Sequence, residues 1–149
     1  MGSIIHISEA VTIGLHAAIC LGSDPERNWS AREIVERFSF SEAHLAKVMA
    51  GLARAGIVRA ERGRHGGARL SRAPENVTLL EIYEAIDGPM AMEDCLLAPD
   101  GCGSKCCQLG PKLAAHNEAL RKVFATTTLA DLAYQGSSAR RPATGARRQ

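Results

Sequence analysis

The sequence predicts a mainly α fold: a winged helix-turn-helix followed by a long C-terminal helix. Three observations carry this. First, two helical apolar patterns, each opened by a serine, flank a turn of about three residues between positions 30 and 56. Second, the period then becomes strand-like on both sides of a glycine-rich turn crowded with arginine, over positions 57–72. Third, aromatic residues make up only 4% of a chain that is 46% apolar, so its core is built from Leu, Ile, Val and Ala, which suits packed helices. The 149 residues allow one domain with an extension.

In chain order, the first helix is expected from about Ser8 to Leu21. Ser8 caps it, and Glu9 meets the positive end of its dipole. Val11, Leu15, Ala18 and Ile19 form one buried face, and Asp24-Pro25 ends the run. Ser30-Ala31-Arg32-Glu33 is a capping box that opens a short helix with Ile34, Val35 and Phe38 inward. After the turn Ser41 caps a third helix. Leu45, Val48, Met49 and Leu52 point inward, Glu42, His44, Lys47 and Arg54 point outward, and Gly56 terminates it.

Positions 57–72 read as a β-hairpin wing with Arg59, Arg62, Arg64, Arg69 and Arg72, interrupted by one acid, Glu61. Glycine lets a backbone lie close to a groove or phosphate, and arginine supplies charge and paired donors. Following a helix-turn-helix pattern, such a wing favours contact with double-stranded DNA over a merely solvated hairpin. Ser30, Arg32 and Ser41 sit at helix starts, where hydroxyls and N–H groups grip phosphate or simply cap. His44 and Lys47 lie on the outer face of the third helix.

Thr78-Leu79-Leu80-Glu81 is a second capping box, opening a helix lined by Leu79, Ile82 and Ile86 that stops at Gly88-Pro89. Pro111 starts a fifth helix, on which Leu113, Leu120 and Phe124 form a narrow stripe with Val123 beside it. A stripe that narrow fits a seam against a partner helix, so a twofold homodimer reading a pseudo-palindromic operator is expected. Thr128-Leu129-Ala130-Asp131 begins a last helical turn. The chain thus divides into a winged helix-turn-helix domain (1–88, wing 57–72), a cysteine loop (89–110), a dimerisation helix with its C-terminal segment (111–134) and a disordered basic tail (135–149).

The net charge of +2 conceals a division, because the tail contributes Arg140, Arg141, Arg147 and Arg148 and no acid. No window approaches the roughly 20 apolar residues of a membrane span, and the start lacks a secretion signal, so a cytoplasmic protein is expected. No phosphate-binding glycine loop and no Ser/His/Asp or paired-carboxylate constellation can be assembled, which argues against an enzyme. From Cys95 to Cys107 the chain reads CLLAPDGCGSKCC, with four of its five cysteines. A stretch so poor in helix and strand formers needs a metal or a disulfide to hold its shape. Cys20, in the first helix, reads as a small buried hydrophobe.

Together these residues resemble the Rrf-two family of bacterial transcription regulators, the group of IscR, NsrR and RirA. The resemblance runs through SEAVTIGLHAAICL, the reading head SEAHLAKVMAGLARAGIVRAERGRHGGARLSRAPENVTLLEIYEAIDGP, the cysteine loop and TTTLADL. It implies an iron–sulfur cluster, 2Fe–2S or 4Fe–4S, on three loop cysteines that fall on Cys95, Cys102 and Cys107. Cys106 is a neighbour able to replace Cys107 or to act as fourth ligand. In one branch a His three positions after the third Cys serves, but Gly110 stands there; in others an acid near the start of the first helix does, reaching across the dimer, and the aligned position is Ser8 with Glu9 next to it, which makes Glu9 a candidate comparable to Cys106 and His16 a weaker one. The spacing also departs from the family's even one, with six residues between Cys95 and Cys102 and four between Cys102 and Cys107.

The function implied is a dimeric repressor whose DNA affinity follows the cluster or the redox state of the loop cysteines, with oxidants, nitric oxide or iron supply as signals. The alternatives are a thiol–disulfide switch pairing Cys95 or Cys102 with Cys106 or Cys107, a zinc site on the same thiols, a loop without cofactor, and a non-DNA iron–sulfur carrier or small redox protein.

Overall fold

In a computed structural model, residues 7–61, 66–90 and 109–132 are described. The cysteine loop, Arg62 and Arg64 of the wing, and the basic tail lie outside them. Six α-helices and one hairpin follow in order: α1 (Glu9–Ser23), α2 (Ala31–Phe38), α3 (Glu42–Arg54), β1 (Val58–Glu61), β2 (Gly67–Leu70), α4 (Leu79–Asp87), α5 (Leu109–Thr126) and α6 (Leu129–Leu132), with a 3₁₀ turn at Pro74–Asn76.

α1 is the centre of the domain, touching α2, α3, α4, α6 and β2. Ser8 caps it as expected, its hydroxyl accepting from the Val11 N–H. Its burial departs from the expected single face. Val11, Ile13, Ala17, Ala18, Cys20 and Leu21 are all at most 1% exposed, whereas Leu15 and Ile19 are half-buried. The reason is tertiary: a helix packed on several sides buries most of its circumference, so a one-stripe template under-reads it. Each such Ile or Leu contributes about 1.5–3 kcal/mol of burial, and Leu21→Ala would cost about 2–5 kcal/mol.

The capping boxes form at both predicted places. Ser30 and Thr78 each accept from the backbone of the residue at N3, and Glu33 and Glu81 reach back to the N-cap N–H groups. In α2 only Ile34 is buried, while Val35 and Phe38 sit half-exposed against the core. α3 buries Leu45, Val48 and Leu52, and Gly56, at φ 71°, supplies the left-handed turn after it.

The wing pairs antiparallel with Val58 opposite Leu70 and Arg59 opposite Arg69. Its outer edge is closed by Trp29, which exchanges both backbone hydrogen bonds with Ala68 (Trp29 N to Ala68 O 3.0 Å, Ala68 N to Trp29 O 2.8 Å). The loop before α2 therefore acts as a third, one-residue strand. Gly67 is required there, because a Cβ would lie 2.5 Å from the Trp29 carbonyl oxygen.

α5 begins at Leu109, two residues before Pro111. A proline fits in this first turn because N–H groups there have no helical acceptor. Two residues of the stripe assigned to a dimer seam, Leu120 and Phe124, face the chain's own core instead, while Leu113 is half-exposed and outside that core. Phe124 is 7% exposed with its ring edge-on to Tyr83 at 6.1 Å, and Leu120 packs on the same core. Spacing alone cannot tell a chain's own core from a partner's. The outward face of α5 carries Ala115, Ala119 and Val123, the last 54% exposed. Beyond α5 the Leu79 N–H donates to Thr127 O and the Leu129 N–H to Val77 O, tying the C-terminal segment to the start of α4.

Candidate nucleic-acid interface

The turn between α2 and α3 is Ser39-Phe40-Ser41, following Phe38 at the end of α2. Ser39 takes the left-handed conformation (φ 59°) and donates its N–H to Val35 O at 2.7 Å. The two phenyl rings stack with centroids 5.3 Å apart, and His16 of α1 meets both edge-on, 5.3 Å from Phe38 and 6.1 Å from Phe40. Its Nδ1 lies 2.8 Å from Thr12 O, where it donates. His16, the weaker ligand candidate, is thereby packed against the aromatic pair at the turn of the motif.

The two serines at the helix starts differ. The Ser30 hydroxyl donates to Glu33 Oε2 at 2.8 Å and accepts from the Glu33 N–H at 3.3 Å. Glu33 also pairs with Arg27, whose guanidinium stacks over Trp29 at 4.1 Å. The N–H and hydroxyl bonds from Ser30, together with Arg27, hold the Glu33 carboxyl below its usual range. Ser41 caps α3 with no side-chain bond, and it is exposed. Arg32 lies on the solvent side of α2, with its Nε 2.8 Å from Glu36.

On α3 the side chains of Glu42, His44, Lys47 and Arg54 are exposed, together with Ala43, Ala46 and Ala50. Lys47 and Arg54 have no ion-pair partner among the described residues. His44 Nδ1 stands 3.5 Å from a carboxylate oxygen of Glu9, at the exposed start of α1. The sequence treated these two residues as parts of separate sites, and the fold places them side by side.

The wing arginines divide as well. Arg69 is half-buried and pairs with Glu61. Arg59 is 4.0 Å from the same carboxylate and remains 54% exposed. Arg72 points away to α4, donating to Asn76 O at 3.0 Å and Glu81 at 2.8 Å. Burial would raise the Glu81 carboxyl, but the Thr78 N–H and Arg72 outweigh it and hold it low.

Cys20 is fully buried, and desolvation pushes its thiol up despite the opposing pull of Arg37 and Arg27. That makes it a packing residue, as expected. Cys95, Cys102, Cys106 and Cys107 lie outside the described residues, among which no group of three His, Cys, Asp or Glu side chains could hold a metal. No described helix is long and apolar enough to cross a membrane.

Comparison with known proteins agrees with this geometry. A family model described as "Rrf2: Iron-dependent Transcriptional regulator" matches residues 7–135. The regulator NsrR of Geobacillus kaustophilus is 30% identical over 132 residues, covering 85% of this chain and 88% of NsrR. The HTH-type regulator BadM of Rhodopseudomonas palustris is 37% identical over 78 residues, and the chain spans only half of its length. Among solved structures, CymR (YrzC), the global cysteine regulator of B. subtilis, superposes with a TM-score of 0.74 at 26% identity, over 90% of this chain and all of that one. The small antiparallel hairpin after α3 is thus the wing of a winged-helix fold.

Proposed function

This chain belongs to the Rrf2 (Rrf-two) family of transcriptional regulators, and from that premise we propose that it is a homodimeric repressor of a pseudo-palindromic operator, governed by an iron–sulfur cluster on its loop cysteines. It is a regulator and not an enzyme. The observation that carries the DNA reading is α3, which offers a Ser41 hydroxyl that makes no cap bond at its start and two exposed cations, Lys47 and Arg54, without acid partners among the described residues. Ser41 and the α3 N–H groups face phosphate, His44 and Lys47 enter the major groove, and Arg59 with Arg62, Arg64 and Arg69 of the wing follows the backbone beside it. Arg32, on the solvent side of α2, reaches the next phosphate, while Ser30 holds the start of that helix by capping it. The outward face of α5, with Ala115, Ala119 and Val123, meets its symmetry mate.

The donor set fits an iron–sulfur cluster: thiolates are soft, anionic ligands suited to iron. Cys95, Cys102 and Cys107 would hold it, with Cys106 or Glu9 as the fourth ligand. When bound, the cluster supplies a centre sensitive to oxidants, nitric oxide and iron supply. Glu9 already touches His44, so a carboxylate drawn toward a ligand role would release a side chain of the recognition helix. A coupling of about 1–3 kcal/mol between cofactor and DNA would suffice.

The adjacent pair Cys106-Cys107 favours a second reading, a thiol–disulfide switch without metal. In it a small-molecule disulfide takes two electrons from a loop thiol pair, whose two protons go to the released thiols. Anaerobic purification with iron, sulfide and zinc analysis, followed by operator binding before and after air, separates the two. Iron and sulfide with a visible absorption band, and an affinity that changes as they are lost, support the cluster. Metal-free protein whose affinity follows thiol oxidation supports the switch. Equal affinity in reduced, oxidised and metal-stripped samples overturns both. Cys95→Ala is expected to lose iron while sedimenting as a dimer.

A further inference from the structure

A groove of about 320 Å³ runs between α1, α3 and α4, at the lower end of the size range of small-molecule sites. Its floor is apolar, made by Ile13, Val48 and Ile86. Its charges are sorted by wall. The α3 wall holds Lys47 and Arg54, and the opposite wall holds Asp87 at the end of α4 and Glu9 at the start of α1. Glu9 is engaged with His44, but Lys47, Arg54 and Asp87 pair with nothing among the described residues.

Two backbone features open this space. Gly51 lies inside α3, where glycine is unfavourable relative to alanine. Elsewhere a glycine has a steric reason: a Cβ at Gly67 would strike the Trp29 carbonyl, and one at Gly14 would strike Ile86. At Gly51 a Cβ would meet only ordinary contacts, 3.7 Å from Ala85 O and 4.0 Å from an Arg54 nitrogen. Nothing among the described residues requires its absence, and what it leaves is room in the groove. The second feature is Ala85 O itself. Its helical donor would come from position 89, which is proline and has no N–H. A carbonyl at the negative end of α4 therefore stands without its helical partner beside Asp87.

We propose that this groove binds a free apolar α-amino acid as an effector. Its ammonium bonds Ala85 O and faces Asp87, its carboxylate pairs with Arg54 and Lys47, and its side chain lies over Ile13, Val48 and Ile86. Charge complementarity selects a zwitterion, since a simple anion would leave Asp87 opposed and a simple amine would face two cations. Because Lys47 and Arg54 belong to the recognition helix, a bound carboxylate draws them from the duplex, so occupancy lowers affinity for DNA. This rests on the DNA reading above.

The test uses the full-length protein and calorimetric titration with L-leucine, L-methionine, L-valine and L-phenylalanine, alongside operator binding. At least one of the four is expected to bind. N-acetylation or amidation of that amino acid should each weaken it about tenfold or more, Gly51→Leu should abolish it, and operator affinity should fall several-fold at saturation. Gly51→Ala, which fits the space, should fold normally and bind more weakly. No binding by any of the four, equal binding of the acetylated form, or unchanged binding by Gly51→Leu overturns the proposal. So does a Gly51→Leu variant that binds none but sediments as a monomer, which would make the groove an interface between copies. Operator binding by the unliganded protein is scored separately: if it persists while every amino acid fails, only the effector site is lost, and if it is absent, the DNA reading is lost.

Discussion

At the start of α2 the Ser30 N–H, its hydroxyl and the Glu33 carboxylate form a closed set joined to Arg27; at the start of α3 the Ser41 hydroxyl bonds nothing in its helix. The same residue type opens both helices of one motif, and it is committed inward at one and left open at the other. The contrast extends along the chain. The loop before α2 anchors the wing through Trp29, whereas α3 presents cations without ion-pair partners among the described residues. Engaged polar groups set the geometry of the reading head, and unengaged ones are available to a ligand. Substitutions on the two sides should therefore separate stability from binding.

The largest effect should come from the anchoring side. Gly67→Val forces a Cβ into the Trp29 carbonyl, where the obstacle is backbone and cannot swing away. The expected cost is about 3 kcal/mol, read by urea unfolding, with DNA affinity falling because the wing leaves its place. A Gly67→Val protein of normal stability would mean that the Trp29–Ala68 pairing is not holding the wing.

Ser30→Ala should cost less, about 1 kcal/mol, and leave operator affinity per folded molecule nearly unchanged. It also has a pH signature. The Ser30 bonds hold the Glu33 carboxyl below its unfolded value. Its contribution is therefore present above the ordinary carboxylate pKa of about 4.3 and is lost as pH falls through the lower folded value. The variant should lose stability at neutral pH and show a flatter decline toward acid, measured as midpoints of thermal unfolding. A parallel shift of wild type and variant at every pH would separate the cap from the titration.

How much of this was legible follows from the distance each signal spans. Capping boxes are read within four residues, and those at Ser30 and Thr78 form as written. The difference at Ser41 was legible too, because the residue at N3 is His44 where a box needs Glu or Gln. The wing was readable from its glycines and strand period, but not its anchor, since Trp29 lies far from Ala68 in sequence and stands alone in a loop with no strand period around it. Leu120 and Phe124 were placed on the right face of α5 and given the wrong neighbour. The pairing of Glu9 with His44 and the groove beside it arise only when α1, α3 and α4 are packed.

The smallest expected effects lie on the open side and sharpen the comparison most. Lys47→Ala removes an exposed cation with no ion-pair partner among the described residues, so stability should stay within about 0.5 kcal/mol. Operator affinity should drop several-fold, with the salt dependence of log K shallower by about one. Ser41→Ala should weaken binding only about twofold, since it removes one neutral donor to phosphate and leaves the α3 N–H groups in place. Its melting temperature should barely move, because no intrahelical bond is broken. The pair Ser30→Ala and Ser41→Ala is therefore a reciprocal test with the same atoms deleted from two starts of one motif. If Ser41→Ala destabilises the domain as Ser30→Ala does while DNA binding stays intact, the open cap is a structural element and the phosphate contact must be assigned elsewhere on α3.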